Sequence, residues 1–148
     1  MQLTKHTDFA FRSLIFMASM PDEMVTIKLM AERFEIPKSH LMKVISTLVA
    51  KGYVKSVRGK QGGVLLAKPA AEISLRSVVE AMEKTLEPID CAGQKCVILE
   101  ACQLKFILGG ARDSYLEYLD KFTLADIINQ STAHILHQHL NIDSSVAS

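Results

Sequence analysis

Apolar residues recur through the first fifty positions at helical spacing, and the pattern changes twice after that. Between Thr4 and Met20 they fall at Ala10, Leu14, Met17 and Ala18, with Phe11 and Ile15 alongside. That spacing predicts one helix with a broad apolar stripe. Pro21-Asp22 ends it. Thr26 is placed to cap a second helix through Phe34, because a hydroxyl there accepts from an otherwise unpaired first-turn amide. Ile36-Pro37 forces a break, since proline disfavours helical geometry in the residue before it. A third helix is expected from about Lys38 to Lys51, with Gly52 as its left-handed stop. Two helices joined by a turn of about three residues make a helix-turn-helix.

Within the third helix Leu41, Ile45 and Leu48 mark an inward face, which leaves Ser39, His40, Lys43 and Thr47 outward. Short polar and basic side chains on such a helix suit base edges and phosphates. The period then shortens. Tyr53, Val54 and Val57 suit one strand and Val64 to Leu66 another. The Gly-rich stretch between them suits a hairpin tip, where Arg58, Gly59 and Lys60 would enter a minor groove or grip phosphates. A hairpin directly after a recognition helix is a wing. The phosphate-cradling pattern G-x-x-x-x-G-K-[ST] is absent.

Helical spacing returns after Pro69. Ser74 can cap a helix to about Thr85, closed by Pro88. From Ala101 onward Leu104, Ile107, Leu108, Ala111, Tyr115, Leu119 and Phe122 keep that spacing for roughly twenty residues. A helix so long in a chain of 148 residues suits a seam between two molecules. Gly109-Gly110 in its middle predicts a close helix crossing or a kink. Thr123 can cap a last short helix, Leu124 to Asn129, and the segment from Ser131 reads as a polar, weakly structured tail. His134, His137 and His139 fall in that tail and His6 near the other end, none at a spacing that pairs with a recognisable metal motif.

Charge sharpens the reading of the first half. Residues 1–69 carry 11 Lys/Arg and 5 Asp/Glu, so that half is basic although the whole chain is only +1. Between Lys38 and Lys68 stand seven bases and no acid, either a solvated basic face or an electrostatic footprint for a polyanion such as double-stranded DNA. No apolar run reaches the roughly 18 residues of a membrane span, and the first residues lack a signal-peptide pattern.

The cysteines change the picture of the second half. The chain has three, Cys91, Cys96 and Cys102, spaced C-x4-C-x5-C. An odd count without an export signal argues against a disulfide framework and for a reducing cytoplasm. Thiolates gathered in one short segment point to a metal or an iron–sulfur cluster. A zinc staple, a thiol sensor and a redox or electron-transfer protein are the competing chemistries. No cofactor fingerprint or catalytic Ser/His/Asp grouping supports an enzyme.

Taken together the chain resembles the NsrR/IscR family of winged-helix iron–sulfur repressors, over about residues 1–130, and within it the nitric-oxide-sensing members. The resemblance is carried by Met1-Gln2-Leu3-Thr4, Thr7-Asp8-Phe9, Ser39 to Ile45, Gly52-Tyr53-Val54, Val57-Arg58-Gly59-Lys60 and Gly62-Gly63. It continues through the three cysteines with Ala101-Cys102-Gln103-Leu104-Lys105, and Phe122-Thr123-Leu124-Ala125-Asp126. It implies a mainly α fold: a winged helix-turn-helix with a small hairpin wing, then a cluster-binding loop and a long dimerisation helix. The implied division is 1–70 for DNA binding, with the first helix also touching a partner subunit, and 71–90 for a connecting helix. The iron–sulfur loop is 91–102, the dimerisation helix and short last helix 101–130, and the tail 131–148.

The resemblance further implies a homodimeric repressor on palindromic operator DNA, released when nitric oxide attacks its cluster. Lys38, Ser39, His40, Lys43, Arg58, Gly59 and Lys60 would contact the DNA. Three thiolates leave one corner of a [4Fe-4S] cluster open. IscR-like members fill it with a histidine after the third cysteine and carry a [2Fe-2S] cluster; Gln103-Leu104-Lys105-Phe106 contains none. NsrR-like members use a carboxylate from the partner's first helix, and Asp8 stands at the matching position. An ion pair with Arg12, four residues on, is the plainer role for Asp8. A same-fold sensor of iron or redox status is the alternative.

Overall fold

A computed structural model describes residues 2–138. Six α-helices and one two-stranded antiparallel hairpin make up its regular structure. Helix α1 spans Lys5–Ser19, α2 Ile27–Arg33 and α3 Lys38–Ala50. Strands β1 (Val54–Val57) and β2 (Gly63–Leu66) follow, then α4 (Leu75–Met82), α5 (Gln103–Leu119) and α6 (Gln130–Gln138). Short 3-10 turns at Ala70–Glu72, Leu99–Ala101 and Leu124–Ile127 join them. No helix among the described residues is long and apolar enough to cross a membrane.

The helix starts follow side-chain capping. Thr4, Thr26 and Ser74 each turn a hydroxyl to the amide three residues on, at 3.4, 3.1 and 3.4 Å. The helix ends are equally local. At the end of α3 Gly52 takes φ +80°, the Tyr53 amide donates to Leu48 O at 2.9 Å and the Gly52 amide to Val49 O at 3.1 Å. That double closure is a Schellman motif, and it turns Tyr53 back into the core. The turn between α2 and α3 uses the same device with a different residue. Glu35 adopts φ 53° and the Ile36 amide donates to Ala31 O at 2.9 Å, which buries Ile36.

The core lies between α1, α2, α3 and the base of the wing, and α4 and α6 close it with Val78, Met82 and Leu136. Leu14, Phe16, Met30, Leu41 and Leu48 are wholly buried, and Phe16 meets Phe34 edge to face at 5.9 Å. The wing pairs Val54 with Leu66 and Val57 with Gly63. Val25, in the α1–α2 connection, bridges to Val64 as a third rung, through hydrogen bonds of 2.9 and 2.8 Å. The wing is thereby fastened to the helical body on both sides of β2. At its tip a Cβ on Gly62 would clash with the backbone oxygen of Val57, so only glycine fits that turn.

Three expectations meet a different structure. The helix begun at Ser74 stops at Met82, short of Thr85, because Glu83 leaves helical geometry and turns its carboxylate onto the start of α1. The last short helix is a 3-10 turn of four residues at Leu124–Ile127. The tail reading fails over its first part, where α6 runs through Gln130–Gln138. Its Leu136 is buried, Arg33 Nη2 donates to Ile135 O at 2.9 Å and His137 Nε2 to Ser19 O at 2.9 Å. These partners lie more than a hundred residues away in sequence, beyond the reach of local pattern. Residues 139–148, with His139, lie outside the described residues, as does Met1.

Candidate DNA-reading surface and cysteine segment

Helix α3 presents one buried and one exposed face. Leu41, Val44, Ile45 and Leu48 are buried on α1 and α2, which leaves Lys38, Ser39, His40, Lys43 and Ser46 in solvent. Thr47 is half-buried and donates to Lys43 O at 3.1 Å. Beyond β1, Arg58, Gly59 and Lys60 form the exposed wing tip, with Gly59 at φ +122°. The two predicted groups are thus carried by successive elements of one rigid unit: the Schellman turn at Gly52 fixes β1 against the end of α3. No acid interrupts the sequence between Lys38 and Lys68, so the stretch offers a phosphate backbone no local repulsion.

The cysteines occupy the connection between α4 and α5. All three are free thiols; Cys96 is exposed, while Cys91 and Cys102 are half-buried. Cys91 lines a cleft of about 650 Å³ with Glu87, Asp90, Leu99 and Lys105. Asp90 folds the backbone just past it, its Oδ1 accepting from Ala92 N at 3.2 Å and Gly93 N at 2.7 Å. Cys102 is the N-cap residue of α5, and its side chain makes no capping bond. The structure brings the thiols into one segment and not onto one point: among the described residues no three His, Cys, Asp or Glu side chains converge.

Asp8 lies in the first turn of α1 and is half-exposed. Arg12 grips it with Nε to Oδ1 at 3.1 Å and Nη2 to Oδ2 at 3.0 Å, so the ion pair expected of the spacing is present. His6 and the α6 histidines join no metal-like cluster; His134 Nε2 and Gln138 Nε2 are 2.6 Å apart.

Carboxylates around the cysteine segment carry the structure that sequence reasoning missed. Glu83 Oε1 accepts from Thr4 N at 2.7 Å, Thr4 Oγ1 at 3.0 Å and Thr7 Oγ1 at 2.5 Å. Burial pushes this carboxyl up, yet the hydrogen bonds from Thr7 and Thr4, with His6 nearby, hold it below its ordinary value. Tyr115 of α5 is pushed up by burial and by the Glu83 charge. Glu83 therefore sits where α1, α4 and α5 meet. Four residues on, Glu87 pairs with Arg112 of α5, which also holds Asp113. Neither partner of Glu83 or Glu87 is visible in a local pattern.

The sequence model of the Rrf2 family, described as iron-dependent transcriptional regulators, matches residues 3–130. The chain belongs to the Rrf2 family. Its Rrf2 fold matches T. potens IscR with a TM-score of 0.70 at 26% identity, covering 86% of this chain and 85% of that one. It also matches CymR, the global cysteine regulator of B. subtilis, with a TM-score of 0.68 at 22% identity, covering 86% and 95%. An oxidized form of Staphylococcus aureus CymR gives 0.68 at 24%, covering 84% and 93%. The two CymR likenesses establish the fold, a winged helix, and the family makes this Rrf2 chain a transcription regulator.

An iron-dependent family raises the question of whether these residues suit an iron–sulfur cluster. Their chemistry does. Three thiols with no disulfide between them are soft donors of the kind such clusters take. The segment that bears them has no buried apolar residue between Glu83 and Gly110, so no core opposes its closing around a ligand.

Proposed function

We propose that this Rrf2 protein is a nitric-oxide-responsive repressor, a cytoplasmic homodimer that holds palindromic operator DNA while a [4Fe-4S] cluster is bound. The ligands are Cys91, Cys96, Cys102 and the partner subunit's Asp8. The observation that carries the reading is the pairing, on one chain, of an exposed basic surface on α3 and the wing with three uncommitted thiols at the start of α5. Self-association is supported by the outer stripe of α5, where Leu104, Ile107, Ala111, Ser114 and Tyr118 are exposed at alternating three- and four-residue steps.

When bound, the cluster supplies an iron centre that reacts with nitric oxide. The chain's own residues turn that into a mechanical signal. Cys102 begins α5, and Asp8 lies in the first turn of α1, which packs on α3. Holding or freeing these two helix starts changes where the recognition helices of the dimer stand relative to successive major grooves, about 34 Å apart. Near-complete switching asks for about 5.5 kcal/mol of preference between the two arrangements.

Anaerobic purification, with absorption and resonance Raman spectra before and after nitric oxide, tests the reading beside DNA binding to a fragment selected from random sequence. The expected result is a coloured protein that releases the DNA on nitrosylation. A colourless protein with one zinc per chain would refute it. Cys96→Ser should fold but lose both colour and response, while Lys43→Ala and Arg58→Ala should keep the colour and each lower the salt slope of DNA binding by about one ion. A second reading, a sensor of iron status, is favoured by the description of the family as iron-dependent regulators; DNA binding that follows iron supply but ignores nitric oxide would establish it.

A further inference from the structure

The cysteine segment is anchored to α5 at both ends, by two different means. Its far end is covalent: Cys102 runs directly into Gln103, the first residue of α5. Its near end is held by a charge. Arg112, two turns along the same helix, donates from Nη1 to Glu87 Oε1, four residues before Cys91. The guanidinium is itself held in place by Asp113, whose Oδ1 accepts from Nε at 2.9 Å and Nη2 at 2.8 Å. Asp113 thus fixes the plane of the fork and leaves Nη1 for Glu87. Glu87 also lines both clefts beside the segment, the one containing Cys91 and Lys105 and the one containing Leu3 and Glu83.

We propose that Arg112 and Glu87 are the positioning pair of the cysteine segment: their contact closes residues 87–112 into a loop on α5 and sets Cys91 on the same scaffold as Cys102. The proposal rests on the cluster reading above and goes beyond it by naming what holds the ligand loop in shape. An isolated exposed ion pair contributes little to global stability. This one acts locally, on a segment without a core, where a single tether decides how far the chain wanders. Pro88, directly after Glu87, narrows the backbone freedom between tether and first thiol.

Two measurements on Glu87→Gln, Arg112→Gln and the exchanged pair Glu87→Arg/Arg112→Glu test it. The first is amide hydrogen exchange over residues 89–101 in metal-free protein, which does not depend on any cluster. Both single variants should exchange faster there, with unchanged protection in α1 and α3 and an unchanged circular dichroism spectrum. The second is titration with cobalt(II), followed by its thiolate charge-transfer absorption. The single variants should bind about tenfold more weakly, the size usual for losing an outer contact of a metal site, and the exchanged pair should recover most of the loss. Single variants that match wild type in exchange and in cobalt affinity would overturn the positioning role while leaving the cluster reading standing. A wild-type protein that takes up neither cobalt nor a cluster, yet shows the exchange difference, would refute the cluster reading and keep the tether.

Discussion

Replacing Glu83 by glutamine should weaken the fold at neutral pH and have no effect in acid. In the native state one carboxylate oxygen accepts three hydrogen bonds from the start of α1, and one donor, Thr7, is wholly buried. Hydrogen bonds to an ionised acceptor are roughly twice as strong as neutral ones, and each contributes about 1.5 to 3 kcal/mol when buried. Glu83 is only half-buried and glutamine retains one acceptor. Solvent screening therefore reduces the expected loss to about 1 to 2 kcal/mol. The pH dependence has a definite sign. Against the burial that pushes it up, the Glu83 carboxyl is held below its ordinary value by the Thr7 and Thr4 donors. Its contribution is therefore complete above the unfolded value, about 4.3. It disappears as pH falls through the lower folded one. Urea unfolding of wild type and Glu83→Gln at one protein concentration, from about pH 3 to pH 7, reads this directly. A gap that is absent at pH 7, or that widens toward acid, would refute the reasoning.

Gly52→Ala should cost about 1 kcal/mol, since φ +80° is left-handed, and Glu35→Gly should gain somewhat less by relieving φ 53°; denaturant midpoints separate the two. Leu136→Ala should destabilise the fold by about 2 to 3 kcal/mol, because α6 seats that side chain in the core; a loss under 0.5 kcal/mol, about the level of a surface change, would mean that α6 is not docked in solution. Gly110→Leu should weaken self-association in sedimentation without unfolding the chain, because a Cβ at Gly110 meets nothing within 4 Å in its own subunit. Gly110→Ala serves as the control, and should strengthen α5 by about 1 kcal/mol.

What a sequence shows depends on how far away its reasons lie. Thr26 and Ser74 are legible as caps because donor and acceptor are three residues apart, and Gly52 as a stop because its closing bonds span five residues or fewer. The winged helix was readable for that reason: the turns that start and stop α3 and lead it into β1 are local. Helix α5 runs without a break through Gly109-Gly110, over Gln103–Leu119; helix propensity alone could not decide between a kink and a crossing there. Helix α6 was invisible because Arg33 and Ser19, which hold its backbone and His137, precede it by more than a hundred residues. The same holds for Glu83 and Glu87, whose partners are 79, 76 and 25 residues away. The spacing of the cysteines suggests what they could hold, whereas the partners of the two carboxylates that precede them show only in three dimensions. Glu83 reaches the start of α1 and Glu87 reaches α5. The two elements proposed to meet the partner subunit are therefore joined to the connection that bears the thiols by polar contacts as well as by the packing of α4. A sensor gains from that arrangement, because contacts of this kind break without unfolding the protein.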